Sequence, residues 1–189
     1  MRVIAGVYRR RILQEVEEST TRSTKDRVKE SIFNSLQNHL YDSSVLDLFA
    51  GSGALGIESI SRGAKHVVFN ELNPTAFRVV EVNVATLHID HCTLSRKDYN
   101  DYLSTTNEQF DIIFLDPPYH MDVIDEIIQT IAKQNLLKED GIIVCLYSKN
   151  NSLEVENNGI IEYKKKTIGV TNVSYMRWGN EYENSSLSR

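Results

Sequence analysis

Asp111-Ile112-Ile113-Phe114-Leu115-Asp116-Pro117-Pro118-Tyr119 decides the reading of this chain. The run from Ile112 to Asp116, mostly β-branched or bulky apolar residues, predicts a strand buried on both faces. It stops at Pro117 and Pro118, which have no N–H for a ladder and hold φ near −65°. An acidic side chain, two rigid carbonyls and an aromatic ring therefore stand together at the C-terminal end of a core strand. In open α/β sheets, that edge is where ligands bind. Asp116 and the Pro117 carbonyl can accept hydrogen bonds from a flat amino group, and Tyr119 offers it a face to stack on. The plainer alternative is a Pro-Pro turn with Asp116 as a cap.

Upstream, Val45–Phe49 reads as a strand running directly into Ala50-Gly51-Ser52-Gly53-Ala54-Leu55-Gly56, with a helical body over Ile57–Arg62. Strand, glycine turn and helix form the context in which a G-x-G-x-x-G spacing has meaning. Backbone N–H groups there can approach a ligand at the positive end of a helix dipole. His66–Asn70 is the second strand, and Glu71 follows it twenty residues after Gly51, where a carboxylate can take a ribose diol. Cys92–Ser95 is a third strand, placing Asp98 on the same edge of the sheet. Asp98 reads either as an acceptor for an adenine amino group or as the N-cap of a helix beginning at Tyr99.

Helices are expected at about 25–40, 74–87 and 122–133. Thr24 or Ser23 would cap the first, and Val28, Ile32, Phe33, Leu36 and Leu40 would form its buried stripe. Lys25, Arg27 and Lys29 fall largely off that stripe. Leu136–Gly141 leads into a fifth strand over Ile142–Tyr147, and Ile160–Ile168 with Thr171–Trp178 closes the sheet as an antiparallel pair about Gly169. Residues 2–16 suggest a small hairpin around Gly6-Val7-Tyr8. The expected organisation is a hairpin and helix extension over 1–43, an α/β domain over 44–179, and a disordered polar tail over 180–189.

A chain of 189 residues, 41% hydrophobic and 25% charged, is long enough to bury a full core. No run approaches the roughly 18 apolar residues of a membrane span. No apolar segment follows Arg2, so a cytoplasmic location is expected. Cys92 and Cys145 sit in apolar runs and lack metal-site or redox-pair spacing, and the five histidines show no ligand spacing, so no metal is expected. His120, next to the Pro-Pro-Tyr turn, reads as rim. Net charge is −5, which argues against indiscriminate nucleic-acid binding. Residues 1–11 nevertheless carry Arg2, Arg9, Arg10 and Arg11 with no acid, and Arg22, Lys25, Arg27 and Lys29 follow against Asp26 alone. One end of the molecule is expected to be basic on an acidic body.

The order of these features resembles the Class I S-adenosylmethionine-dependent methyltransferase fold. That fold implies a Rossmann-like, seven-stranded, mostly parallel sheet with an antiparallel closing hairpin. The stretches Arg22–Asn34 (RSTKDRVKESIFN), Phe49–Glu58 (FAGSGALGIE) and Met1–Gly6 (MRVIAG) resemble the RsmD family, bacterial enzymes that methylate the N2 amine of a guanine in 16S ribosomal RNA. The resemblance implies S-adenosyl-L-methionine as cofactor, with Asp47, Phe49, Ala50, Gly51, Ser52, Gly53, Glu71, Leu72, Asp98 and Asp116 lining its site. Asp116, Pro117 and Tyr119 would address the base. Arg2, Arg9, Arg10, Arg11, Arg22, Lys25 and Arg27 would contact RNA, presented in a small ribosomal subunit or an assembly intermediate, to a monomer or weak dimer. The alternatives are methylation of another base amine such as adenine N6, a nicotinamide-dependent oxidoreductase using the glycine loop, and a non-catalytic RNA-binding module. The second leaves Asp116–Tyr119 unused.

Overall fold

A computed structural model describes residues 1–16, 22–153 and 159–179; within the first helix, side chains are described from residue 26 onward. The expected tail over 180–189 and the side chains of Arg22 and Lys25 lie outside these.

Seven strands form one sheet: β1 (Ser44–Asp47), β2 (His66–Asn70), β3 (Cys92–Ser95), β4 (Phe110–Leu115), β5 (Leu137–Ser148), β6 (Ile160–Ile168) and β7 (Thr171–Trp178). Their spatial order is β3-β2-β1-β4-β5-β7-β6. The first five run parallel, and β7 is antiparallel to both β5 and β6. The order reverses between β1 and β4, the switch point at which open α/β sheets leave a crevice beyond their strand ends.

Helices α1 (Arg22–Ser35), α2 (Ala54–Ser61), α3 (Pro74–Thr86), α4 (Tyr99–Thr105) and α5 (Ile124–Lys133) connect the strands. Two apolar layers hold them. Val45, Val67, Phe69, Ile112, Phe114 and Val144 pack beneath Ile32, Phe33, Ile57 and Val80 on one face. On the other, Leu46, Val68, Ile113, Leu115 and Ile143 meet Leu103 and the Ile124, Ile127, Ile128, Ile131 stripe of α5. Successive residues of β1, β2 and β4 feed opposite layers, as a strand buried on both faces requires.

Local chemistry sets the boundaries. Asn73 caps α3 by accepting from the Thr75 and Ala76 N–H groups, and Pro74 supplies a pre-set φ at the first helical position. The first helix departs from expectation at both ends. It begins at Arg22, so Ser23 and Thr24 lie inside its first turn instead of capping it. Neither proline nor glycine stands there to stop the helix. It stops at Ser35, whose hydroxyl bonds back to the Ser31 carbonyl at 3.0 Å. Leu36 and Leu40 are still buried beyond that end. The expected lead-in over 136–141 is part of β5, with a register shift opposite Phe110–Ile112.

The expected N-terminal hairpin forms as a short antiparallel pair about the Arg2–Ile12 bridge: Val3 N–H donates to the Arg11 carbonyl, Arg10 N–H to the Val3 carbonyl and Leu13 N–H to the Met1 carbonyl, each at 2.9 Å. Its backbone also bonds to the body. The Ile4 and Ala5 N–H groups donate to the Glu58 carboxylate at 2.8 and 3.0 Å, and Val7 N–H donates to the Ser61 carbonyl at 2.8 Å. The N–H groups of Ile4, Ala5 and Val7, which the hairpin leaves open, are thus satisfied on α2.

Candidate active site

Strands β1, β2, β3 and β4 deliver Asp47, Glu71, Asp98 and Asp116 to the same edge of the sheet, and all four line one cavity of about 850 Å³. Phe49, Ala50, Gly51, Ser52, Leu72, Pro117 and Tyr119 also line it. The residues predicted for cofactor and base are thus brought together, with one exception.

That exception is Gly53, which is not among the lining residues. It is the N-cap of α2 at φ 77°, and a Cβ on it would sit 3.3 Å from Val80 Cγ1 and 3.4 Å from Phe69 Cε1. Its absent side chain serves helix-to-strand packing. Gly51 is the cavity-facing glycine: φ is 56°, a Cβ would meet nothing within 4 Å, and its N–H donates to Glu71 Oε2 at 2.8 Å. Glu71 Oε1 also accepts from the Asn73 N–H at 2.8 Å. One carboxylate therefore ties the glycine loop to the start of α3, with acceptor capacity left toward the cavity.

Asp47 lies under the loop, 1% exposed, and its Oδ2 accepts from the Gly56 N–H at 3.0 Å. Burial, opposed by that bond and reinforced by the Asp116 and Glu71 charges, pushes its carboxyl up to about 7. Asp98 is the N-cap of α4. Its Oδ1 caps α4 by accepting from the Asn100 N–H at 2.9 Å, and the residue also lines the cavity beside Tyr99. The Phe49 and Tyr99 rings, 5.6 Å apart and tilted, make an aromatic wall there.

Pro117 is buried, while Asp116, Pro118 and Tyr119 are exposed at the mouth. Tyr119 is held at its far end, where the hydroxyl meets Thr171 Oγ1 at 2.7 Å. Burial raises the Tyr119 phenol above its ordinary value, so the ring is neutral near pH 7. His120 is exposed and lies outside the cavity lining.

Sequence reasoning missed the brackets that hold these parts. The buried Asn70 amide donates to the Leu48 and Lys97 carbonyls and accepts from Ser95, joining the ends of β1, β2 and β3. The Asn83 amide donates to the Ser52 and Gln14 carbonyls and accepts from the Gln14 N–H, clamping arm, glycine loop and α3 together. Lys29, expected off the buried stripe and grouped with the basic cluster, is only 2% exposed. It pairs with the fully buried Glu58 at 3.2 Å, and Arg62 holds the same carboxylate at 2.8 Å. Burial lowers the Lys29 ammonium's proton affinity against the pull of Glu58. Lys29 therefore has no free charge to offer RNA.

The remaining basic residues do not form one patch at the mouth. Arg2, Arg9, Arg10, Arg11 and Arg27 are all exposed, but the arm's tip docks against Ser61 at the far end of α2. Eight residues of helix put that end about 12 Å from the glycine loop. The arm's base, with Met1 paired to Glu15, lines the cavity instead. Among the described residues no group of three or more His, Cys, Asp or Glu could hold a metal ion, and no helix is long and apolar enough to cross a membrane.

The acidic lining suits a ligand carrying positive charge and a ribose diol. The carboxylates of Asp47, Glu71, Asp98 and Asp116 outnumber the lining lysines, and Lys29 is already held by Glu58. A model of the family described as conserved hypothetical protein 95 matches residues 1–177. The ribosomal RNA small subunit methyltransferase D of Haemophilus influenzae is 36% identical over 184 residues, covering 95% of this chain and 94% of that one. Its Escherichia coli namesake is 28% identical, with 98% and 93% covered. A solved Haemophilus influenzae structure described as a methylase superposes with a TM-score of 0.80 at 33% identity, over 95% of this chain and 98% of that one.

Proposed function

The chain belongs to the conserved hypothetical protein 95 family, that of the ribosomal RNA small subunit methyltransferase D proteins, and from that premise we propose that it methylates the N2 amine of a guanine in 16S ribosomal RNA using S-adenosyl-L-methionine. One observation carries the reading: the Asp116–Tyr119 turn and the Gly51–Glu71 pair line the same cavity, so a base amine and a ribose-bearing cofactor would meet inside it.

The cofactor supplies an activated methyl group on a sulfonium, and the protein supplies position. Glu71 would take the ribose diol, Gly51 would leave room for close approach, and Asp98 with the Phe49–Tyr99 wall would receive the adenine. The guanine amine is a poor nucleophile because its lone pair is delocalised into the ring. Two N–H groups donated to Asp116 and the Pro117 carbonyl would favour a pyramidal nitrogen with its lone pair aimed along the transfer line. Alignment of this kind contributes several kcal/mol. Tyr119 would stack on the extruded base, a contact worth roughly 1–3 kcal/mol. The excess proton leaves to water or to Asp116 after transfer.

The acidic body, at net −5, supports a substrate whose RNA is partly covered by basic ribosomal proteins, a small-subunit particle or its assembly intermediate. Arg2, Arg9, Arg10, Arg11, Arg22, Lys25 and Arg27 would contact that RNA, with the arm over 1–43 as the binding extension and the enzyme acting as a monomer or weak dimer. The test is tritiated-methyl transfer to naked RNA and to particles lacking the modification, at two salt concentrations, followed by nucleoside analysis. N2-methylguanosine on the particle, lost with Asp116→Ala at unchanged cofactor affinity, is the expected result. Methylated adenosine, or faster turnover on duplex DNA, would sink the assignment.

A further inference from the structure

The stretch from Tyr163 to Trp178 contains Lys164, Lys165, Lys166 and Arg177 and no acidic residue, on a chain whose net charge is −5. The three lysines lie on β6, the outer strand of the sheet. Lys164 Nζ donates to Ser35 Oγ at 3.1 Å, and Lys166 Nζ to Ser31 Oγ at 3.2 Å and Ser35 Oγ at 3.3 Å. Lys165 points to the other face of the sheet, 5.3 Å from the Tyr147 ring. Among the described residues none of these lysines has a carboxylate within ion-pair distance. Their ordered contacts are neutral hydroxyls and ring faces.

The position of this seam connects it to the cavity. Ser31 and Ser35 follow the exposed Arg27 at four-residue spacing, so the three stand in one row on α1. The neighbouring row, with Val28 and Ile32, lines the cavity. β6 ends in the turn that carries Val170 and Thr171, also cavity-lining, and Thr171 holds the Tyr119 hydroxyl. In the β6–β7 register Ile168 opposes Thr171 and Lys166 opposes Val173. Lys166 therefore stands roughly 7 Å out from the mouth, and Lys164 about as far again.

We propose that the outer edge of β6, with the seam it forms against α1, binds the phosphate backbone of the RNA strand flanking the target base, through Lys164 and Lys166 in the seam and Lys165 on the other face of the edge. The proposal rests on the RNA-substrate reading above and adds a surface to it, on the opposite side of α1 from the arm. Lysines also blunt sheet edges against pairing. Edge protection needs a charge of either sign, however, and does not account for three successive cations on an acidic protein, with Glu162 the one acid of β6. Pairing of two β6 edges would bring two lysine triplets together, so a second copy is disfavoured as the occupant.

The discriminating variants are Lys164→Gln/Lys166→Gln, which keeps side chains able to bond the serine hydroxyls, and Lys165→Glu, which keeps a charged edge. Binding of a fluorescein-labelled 16S ribosomal RNA fragment is measured by anisotropy over a salt series, beside turnover, cofactor calorimetry and sedimentation. The paired variant should lower the salt slope of log K by about 1.4–1.8, near 0.7–0.9 for each lost phosphate contact. Lys165→Glu should weaken binding about tenfold at low salt, and both should raise KM while leaving kcat and cofactor affinity unchanged. Parent-like affinity and slope in both variants, or variants that dimerise where the parent does not, would overturn the proposal and assign the lysines to edge protection. Because RNA binding is read apart from product identity, a parent that binds RNA through the seam but methylates a different base would overturn the guanine assignment and leave the seam standing.

Discussion

Replacing Asp47 by asparagine tests the electrostatics under the glycine loop. The amide oxygen of the new side chain can still accept from the Gly56 N–H, whose bond to Asp47 Oδ2 is 3.0 Å, while the charge is gone. Burial, with the Asp116 and Glu71 charges, raises the Asp47 carboxyl from 3.8 to about 7. A group whose folded-state pKa lies above its unfolded value stabilises the fold at low pH, and loses that contribution as pH climbs through the folded value. The window here runs from about pH 4 to about pH 7. At roughly 1.4 kcal/mol per pH unit, the full span corresponds to about 4 kcal/mol. The assay is urea unfolding of parent and Asp47→Asn, without cofactor, at half-unit steps from pH 4 to pH 8. The variant should gain on the parent throughout that window, by an amount of order 4 kcal/mol, and the difference should level off above about pH 8. Stability curves that stay parallel from pH 4 to pH 8 would refute the reasoning: the Gly56 N–H would then hold Asp47 ionised at ordinary carboxylate pH.

Glu71→Ala removes the acceptor for the Gly51 and Asn73 N–H groups. Cofactor binding should weaken and stability fall by about 1–3 kcal/mol; equal affinity by calorimetry would remove Glu71 from the site. Tyr119→Phe keeps the ring and loses only the 2.7 Å contact with Thr171, so kcat/KM should fall a few-fold. Tyr119→Ala should lose the roughly 1–3 kcal/mol of stacking, with cofactor affinity unchanged in both. If the Phe variant proved as impaired as the Ala variant, the hydroxyl rather than the ring face would be the working group. Gly56→Ala would place a Cβ 2.2 Å from Phe69 Cε1, inside a layer where Phe69 is wholly buried. Overpacking of that kind costs about 1–3 kcal/mol, and a parent-like melting temperature would mean that Phe69 can move aside.

The strands that make the sheet were legible because burial on both faces writes itself as short apolar runs: Val45 onward, His66–Asn70 and Ile112 onward. The turn at Pro117 and Pro118 and the glycine loop were legible for a related reason, since each demands residue types that few other conformations require. The misjudged positions share a different character. Gly51 and Gly53 belong to one spacing, yet one faces the cavity and the other packs against Val80 and Phe69. Nothing local separates a glycine that opens on a cavity from one that packs against a neighbouring helix. The cap expected at Thr24 failed because capping chemistry states a preference, and no residue there forbids an earlier start.

Lys29 shows where pattern reading stops. Its burial depends on Glu58, on another helix, which also binds Arg62 and two N–H groups of the arm. Each member taken alone reads as solvated, because an unpaired buried charge is too costly to expect. Only the fold brings the partners together, and only then does burial become the better state. The same contacts fix the arm's course. With Ile4 and Ala5 bound to Glu58 and Val7 to Ser61, the arm must run along α2, which carries Arg9 and Arg10 away from the mouth and leaves the arm's base beside the cavity. Basic residues adjacent in sequence are thereby sent to the flank. The α1–β6 seam, whose members are more than a hundred residues apart, converges on Tyr119. Where the basic groups of this acidic chain stand relative to the cavity is therefore set by a buried ion cluster on α1 and α2, and not by the order of arginines along the chain.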